Sequence, residues 1–203
     1  MSDPSLLQLV LHHRYAEARP HDLSGHGNLG YGDLQRATGR DGRISAAAFD
    51  GTHDRIFVPP STTLARPGGI RAELVVNVEE LGHRRTLVEG YLSFAVGVEG
   101  NGAIAGGIYR YDQWTAVRSQ AGLITLGRWI TVTFTYLGDG VMTLCMDGEL
   151  VAQGYRRLGG ANGIAWPFGL SIGAWPDADQ RVLKGRMEEV KLWRALPAPY
   201  PSS

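Results

Sequence analysis

The segment that decides the fold runs from Gly127 to Gly154, GRWITVTFTYLGDGVMTLCMDGELVAQG. Over Trp129–Tyr136, apolar residues alternate with threonines, which is typical of a strand with one buried face. Gly138-Asp139-Gly140 then interrupts the run like a hairpin turn, and Val141–Met146 alternates again. Asp147-Gly148 accepts positive φ readily and predicts a second tight turn into a third strand. The segment is therefore predicted to be an antiparallel meander.

A meander has one apolar face, which needs a second layer to cover it. The rest of the chain supplies further strand-like runs, with no internal repeat. It contains no amphipathic helix of useful length. The predicted strands outside the meander include Leu6–Tyr15, Ile70–Val78, Tyr91–Val98, Ala103–Tyr111, Trp114–Arg118, Phe168–Ala174 and Gly185–Trp193, with a further extended segment over Thr86–Val88. The sequence thus predicts an all-β fold of about a dozen antiparallel strands.

The composition is that of a globular chain without a charge bias. Of the 203 residues, 43% are hydrophobic and 20% are charged, which argues against disorder. Twenty basic and twenty acidic residues give a formal net charge of zero. This neutrality argues against a large phosphate-binding surface, so no nucleic-acid partner is predicted. It also lowers the repulsion between copies, so a homo-oligomer or a larger assembly is compatible with the composition.

The single cysteine, Cys145, excludes an intramolecular disulfide. Its place in the middle of a strand predicts a small buried thiol rather than a reactive nucleophile. The first residues lack a basic leader, so the chain as written is expected to be cytoplasmic. An extracellular location is expected if a leader has been removed or if export is non-classical. No apolar run approaches the roughly 18 residues of a membrane span.

Four segments match one protein family in the expected order. A D-x-S-G-x-G-N-x-G loop follows the N-terminal strand, Phe49-Asp50-Gly51 precedes a short strand, Trp129 opens the meander, and the last strand reads GRMEEVKLW. The matching loop positions are Asp22, Ser24, Gly25, Gly27, Asn28 and Gly30. The chain resembles the laminin G-like and pentraxin-like jelly rolls of the concanavalin A-like lectin/glucanase superfamily. This resemblance implies an antiparallel two-sheet jelly-roll β-sandwich with no substantial helix. One domain is expected over residues 1–196, with a Pro/Ser-rich tail over 197–203.

The chain is predicted not to be an enzyme. Glycoside hydrolysis needs two carboxyl groups about 5–10 Å apart, and the E-x-D-x-x-E-type strand of glucanases with this fold has no match here. Glu188 and Glu189 are adjacent, so they point to opposite faces of their strand. Ser24 lacks the strand-to-helix elbow of a hydrolase nucleophile. The histidines do not have the spacing with cysteines that a structural zinc site requires.

The resemblance also implies a calcium ion as a candidate ligand, because many domains of this family bind calcium. No other cofactor is expected. Calcium prefers carboxylate, amide and carbonyl oxygens, and the candidate ligands are Asp22, Asn28, Asp50 and Glu188. Two positions depart from the family pattern: Glu188 stands where Asp is common, and Ala16 stands where an acid is often found. Alternatively, Asp22 and Asp50 accept hydrogen bonds from the backbone of their own turns.

Aromatic residues on loops and strand ends are the candidates for a binding surface. Sugars stack their apolar faces on Trp and Tyr, and loop aromatics that packing does not explain are the better candidates. The candidate residues are Tyr109, Tyr111, Asp112 and Trp114 at one strand end, and Trp166, Trp175 and Asp177 on loops. The resemblance places Trp129 and Trp193 in the core, which excludes both. Alternatively, the candidate aromatics cap the sandwich edges or anchor a protein partner.

Two functions from different classes remain. The first is a non-catalytic, lectin-like module that recognises carbohydrate or a glycosylated partner through loop aromatics, with or without calcium. The second is a structural or interaction protein whose jelly roll docks to a protein partner or self-assembles. The Trp/Tyr/Asp cluster and the resemblance favour the binding module. The neutral charge and the missing leader favour the second function.

Overall fold

The computed structural model describes residues 7–17, 20–65, 68–110, 112–156, 169–176 and 180–195. These residues form fifteen strands and no helix. The strands are β1 (Leu7–Arg14), β2 (His21–Asp22), β3 (Gln35–Thr38), β4 (Ile44–Asp50), β5 (Ile56–Val58), β6 (Gly69–Val78), β7 (Arg85–Gly90), β8 (Phe94–Val98), β9 (Ile104–Arg110), β10 (Gln113–Arg118), β11 (Trp129–Tyr136), β12 (Val141–Met146), β13 (Glu149–Tyr155), β14 (Leu170–Ile172) and β15 (Lys184–Ala195). No helix of the described residues is long and apolar enough to cross a membrane.

The strands form two antiparallel sheets that face each other. Sheet A has nine strands in the order β13-β12-β11-β6-β15-β1-β2, with β3 and β4 joined to it beside β15. The long strand β15 pairs with β6 along its whole length, while β4 and then β1 pair with successive halves of its other edge. Sheet B has six strands in the order β10-β9-β8-β7-β14-β5. The predicted two-sheet jelly-roll sandwich is confirmed.

The meander predicted from the sequence is confirmed as β11, β12 and β13 of sheet A. Ile130, Val132 and Phe134 are buried and point into the core, whereas the threonines between them are only partly covered. The turn after β12 has the expected left-handed backbone, with φ of 52° at Asp147 and 86° at Gly148. Asp147 also stabilises this turn, because its Oδ1 accepts the backbone N–H of Thr131 at 2.8 Å.

A β-bulge in β15 explains an irregular apolar pattern in the last strand. Met187, Val190 and Leu192 are all buried, although strict alternation would place Met187 and Val190 on opposite faces. The register shifts between Met187 and Glu189, and this extra residue brings all three side chains to the core side.

The prediction that Trp129 and Trp193 pack in the core was wrong. Both side chains are half-buried and lie on the face of sheet A that is turned away from sheet B. The guanidinium of Arg186 lies 5.7 Å from the ring centroid of Trp129, and that of Arg71 lies 5.3 Å from the ring of Trp193. The alternation of each strand explains this position, because the neighbouring Ile130 and Leu192 occupy the core side.

Two further expectations need correction. The strand predicted over Tyr91–Val98 begins only at Phe94, because residues 91–93 form a turn in which Leu92 has a φ of 53°. Cys145 is half-buried rather than buried; it pairs across the sheet with Thr133 on the outer face. The predicted tail over residues 197–203 lies outside the described part of the chain.

Candidate functional site

The outer face of sheet B, which is turned away from the core, has a floor of small residues. In one row across the sheet, Glu89 of β7 lies opposite Ala95 of β8, and Ala95 lies opposite Gly107 of β9. Gly107 in turn lies opposite Ala116 of β10. These partners of Glu89 have no side chain beyond Cβ, and Ala95 is only 3% exposed, so the middle of this face consists of small, mostly buried residues.

The β9–β10 margin of this floor carries a pair of aromatic side chains. Tyr109 and Trp114 lie opposite each other, with ring centroids 5.4 Å apart in an edge-to-face arrangement. Tyr109 is two residues beyond Gly107, so both rings lie on the same face as the floor. Trp114 is 44% exposed, and the Tyr109 hydroxyl donates to Asp112 Oδ1 at 3.4 Å. The structure therefore brings together three of the predicted ligand-binding residues.

A loop carries Trp175 to the other side of the floor. The loop leaves β14 at Gly173, whose N–H donates to the Leu87 carbonyl at 3.0 Å, and returns at Arg181, whose carbonyl accepts from Thr86 N–H at 2.7 Å. Both ends of the loop are therefore hydrogen-bonded to the backbone of β7. Trp175 is half-buried, and the guanidinium of Arg181 lies 4.8 Å from its ring centroid. Trp175 is a fourth predicted residue on this face.

A buried carboxyl group lies beneath this loop. Glu89 is only 2% exposed, and the indole of Trp175 is hydrogen-bonded to its side chain. Burial raises the pKa of Glu89 to about 7 and outweighs the opposing effects of Arg84, Arg181 and the Trp175 hydrogen bond. At neutral pH a large share of Glu89 is consequently uncharged.

Three polar side chains around this point have atoms without partners, and we call them the Glu89 cluster: Thr86, Glu89 and Ser171. Ser171 lies directly opposite Glu89 on β14, and Thr86 precedes Glu89 on β7. Thr86 Oγ1, Glu89 Oε2 and Ser171 Oγ are buried and make no hydrogen bond. Because such atoms cost about 1–3 kcal/mol each when unsatisfied, three of them on one face indicate a place for polar atoms of a ligand or of water.

A second aromatic pair borders the face at its opposite edge. Phe57 of β5 lies opposite Ser171, and Tyr31 is joined to Phe57 by two backbone hydrogen bonds of 2.8 Å. Tyr31 is 58% exposed and Phe57 is 38% exposed. The outer face of sheet B thus has exposed aromatic rings at both edges and polar atoms at its centre.

The Glu89 cluster, the neighbouring Arg84 and Arg181, and the Tyr31–Phe57 pair were not predicted from the sequence. One available signal lay in β8 and β9, FAVGV and IAGGIYR, whose outward positions carry Ala95, Gly97, Ala105 and Gly107. Two neighbouring strands with only Ala and Gly on one face often mark a surface that something approaches closely. The predicted residues Tyr111, Trp166 and Asp177 lie outside the described part of the chain.

The first loop of predicted calcium ligands is closed by its own hydrogen bonds. Asp22 accepts the backbone N–H groups of His12 at 2.9 Å and Asn28 at 2.8 Å, and it also accepts from Ser24. These hydrogen bonds lower the pKa of Asp22 despite its partial burial. The side chain of Asn28 instead reaches the Val10 carbonyl at 2.6 Å and the Ser61 hydroxyl at 2.6 Å.

The other two predicted calcium ligands have partners elsewhere. Asp50 accepts the backbone N–H groups of Thr52 and His53, each at 2.8 Å, and its hydrogen bonds within this turn hold its pKa well below the usual range although burial opposes them. Glu188 accepts from the Arg40 backbone at 3.0 Å and forms an ion pair with its guanidinium at 3.2 Å. In the described ranges, no three His, Cys, Asp or Glu side chains lie together as a metal site requires.

Two solved binding domains are similar to this chain in fold. The binding domain of Paraclostridial Mosquitocidal Protein 1 is 13% identical, with a TM-score of 0.75 over 93% of this chain and 49% of that one. The binding domain of botulinum neurotoxin serotype G is also 13% identical, with a TM-score of 0.71 over 94% of this chain and 49% of that one. This chain therefore spans about half the length of the toxin domains.

A third structure is matched over nearly its whole length. Domain 4 of AbnA, an extracellular arabinanase from Geobacillus stearothermophilus solved in complex with arabinotriose, is 20% identical, with a TM-score of 0.66 over 95% of both chains. A sequence comparison with curated proteins found no match. A laminin G family model of the concanavalin A-like lectin/glucanases superfamily matches residues 50–198. Together with the observed two-sheet sandwich, this match shows that the chain belongs to the concanavalin A-like lectin/glucanases superfamily.

Proposed function

We propose that the protein is a non-catalytic, carbohydrate-binding module whose ligand lies across the outer face of sheet B. The observation that carries this proposal is the arrangement of Trp114, Tyr109 and Trp175 around one floor of Ala and Gly. Aromatic rings stack on the apolar faces of sugars, and the Trp114 ring is 44% exposed at the margin of this face. The arabinotriose complex of the structurally similar arabinanase domain supports the same class of ligand.

The carboxyl groups of this face support binding rather than hydrolysis. Hydrolysis of a glycosidic bond uses two carboxyl groups about 5–10 Å apart. Glu89 has no second acid beside it in its row, since its described neighbours across the sheet are Ser171 and Ala95. Glu99 lies four residues beyond Ala95, about 13 Å along the strand direction, and is paired with Arg118 at 3.5 Å.

Replacing Trp114 by alanine is expected to weaken oligosaccharide binding about thirtyfold, because a stacked Trp typically contributes about 2 kcal/mol. Calorimetric titration against a panel of neutral and acidic oligosaccharides measures this change. The matched control is Trp129→Ala, which removes a half-buried strand Trp from the outer face of sheet A. If Trp129→Ala weakens binding and Trp114→Ala does not, the ligand lies on the other sheet. If no oligosaccharide binds the native protein, the proposed function is wrong.

We further propose that binding does not depend on calcium, because Asp22, Asn28, Asp50 and Glu188 already use their oxygens in hydrogen bonds or ion pairs. The melting temperature is expected to be the same in EDTA and in excess calcium, as no ion binds the folded state. Calorimetric melting with each additive, and with magnesium as the control ion, tests this. A rise in melting temperature with calcium alone would contradict it.

A second function, docking to a protein partner or to further copies of the chain, is favoured by the outer edge of sheet A. The last strand of that sheet, β13, has a described neighbour on one side only. Leu150 and Tyr155 on β13 are 57% and 68% exposed. Unpaired strand edges with exposed apolar side chains are common sites of strand addition. A solution mass well above 22.0 kDa, together with no binding to the oligosaccharide panel, would favour this function.

A further inference from the structure

Two arginines beside the Glu89 cluster carry charges that the described part of the chain does not neutralise by contact. Arg84 and Arg181 are half-buried, and both lie close enough to Glu89 to lower its pKa. Arg84 Nε is buried without an acceptor, and the guanidinium of Arg181 contacts the ring of Trp175. By contrast, Arg71 and Arg186 on the outer face of sheet A pair with glutamates at 3.2 and 2.8 Å.

The charges around the cluster favour an anion. Among the described residues two guanidinium groups face one carboxyl group, so their summed charge is positive whether Glu89 is ionised or not. Guanidinium groups bind carboxylate and sulfate through paired, charge-assisted hydrogen bonds. The free donors of Arg84 are therefore suited to an anionic group, while Thr86 Oγ1 and Ser171 Oγ are suited to hydroxyl groups.

We propose that the ligand is an acidic saccharide, whose anionic group is bound by Arg84 and Arg181 and whose ring stacks beside Trp175 over the Glu89 cluster. This inference rests on the proposed function and adds the chemical class of the sugar. The aromatic pairs at the two edges of the face hold the apolar sides of neighbouring sugar units, and the two arginines select against neutral chains.

The position of Glu89 links this selection to pH. The described groups that face Glu89 are Arg84 just before its strand, Arg181 and Trp175 on the loop, Ser171 on β14 and Ala95 on β8. An ionised Glu89 would repel a bound anion, whereas a protonated Glu89 leaves both arginines free to bind it. Binding of the acidic saccharide is therefore coupled to uptake of a proton.

The test is calorimetric titration with uronic-acid oligosaccharides, each compared with the same oligosaccharide after its carboxylates are reduced to hydroxymethyl groups. The native protein is expected to bind at least one acidic member about tenfold more tightly than its reduced form. Sulfated oligosaccharides form a second arm, which separates recognition of carboxylate from recognition of sulfate. Equal affinity for acidic and reduced forms would overturn the inference but leave the proposed function intact. No binding to any oligosaccharide would overturn both.

Two variants of Arg84 test whether this residue causes the preference for the acidic oligosaccharide. Arg84→Gln is expected to abolish the preference for the acidic form, and Arg84→Lys is expected to retain part of it. The matched control is Arg43→Gln, which removes a charge from a side chain that is 87% exposed in a loop of sheet A. An equal loss in Arg43→Gln and Arg84→Gln would show a general charge effect and contradict the assigned site.

A third variant tests the coupling to protons. The affinity of the native protein for the acidic form is expected to fall about tenfold between pH 6 and pH 8, whereas Glu89→Gln is expected to remove this dependence. Titrations in buffers of different ionisation enthalpy measure proton uptake directly. Identical pH profiles for the native protein and Glu89→Gln would overturn the role assigned to Glu89.

Discussion

Replacing Glu89 by glutamine is expected to stabilise the folded protein at pH 8 by about 3 kcal/mol, with little effect at pH 4. The pKa of this buried carboxyl group is about 7 in the folded chain, against an ordinary value of 4.5. The difference of roughly 2.5 pH units, at about 1.4 kcal/mol for each unit, gives the expected free energy. Glutamine retains the shape and the acceptor for the Trp175 indole but does not ionise.

The direction of this effect follows from proton binding. Between pH 4.5 and pH 7 the folded protein holds a proton on Glu89 that the unfolded chain has already released. The free energy of unfolding therefore falls as the pH rises through this window, and the loss is complete above it. A protein with glutamine at this position keeps the low-pH contribution throughout, so the two stability curves diverge with increasing pH.

Urea denaturation at a series of pH values from 4 to 8 measures the divergence. Glu149→Gln, a change of the same kind at an exposed position on β13, serves as the matched control and is expected to stay within about 0.5 kcal/mol of the native protein. Parallel curves for Glu89→Gln and the native protein would mean that Glu89 ionises normally, which would remove the basis for coupling ligand binding to protons.

Local sequence patterns predicted the fold well because strand alternation and turn chemistry act over only a few residues. The threonines of β11 and the Asp147-Gly148 turn are examples, since both follow from neighbours along the chain. The bulge in β15 and the position of Trp193 depend on which face of a strand meets the other sheet. Family resemblance misplaced Trp193, whereas the alternation with Leu192 alone would have placed it correctly.

The candidate site was only partly predictable, because sheet pairing assembles it from distant segments. Tyr109, Asp112 and Trp114 were found together because they are close in sequence, and Trp175 was found as a loop Trp. The sequence around Glu89 contains no pattern that marks it as a site residue. Its significance depends on Ser171, which β14 brings opposite it, and on Arg181, which returns from the loop. No spacing rule along the sequence connects these residues.

A tight contact between the two sheets provides the second large expected effect. The ring of Phe134 on β11 is fully buried, and it lies where Gly106 of β9 leaves room for it. A Cβ built on Gly106 would lie 2.4 Å from Phe134 Cδ2, which is too close for any side chain. Phe134→Ala is expected to cost about 3–5 kcal/mol of the free energy of unfolding. Gly106→Ala alone is expected to destabilise the protein by overpacking, by about 1–3 kcal/mol.

The two changes together are expected to cost less than the sum of their separate effects, because an alanine at position 106 fills part of the cavity that the missing ring leaves. A double-mutant cycle by urea denaturation should give a favourable coupling of about 1–3 kcal/mol. Thr133→Ala, on the outer face of the same strand, is the matched control and should be additive with Gly106→Ala. Additivity of Phe134→Ala with Gly106→Ala would show that the two residues are not coupled through this contact.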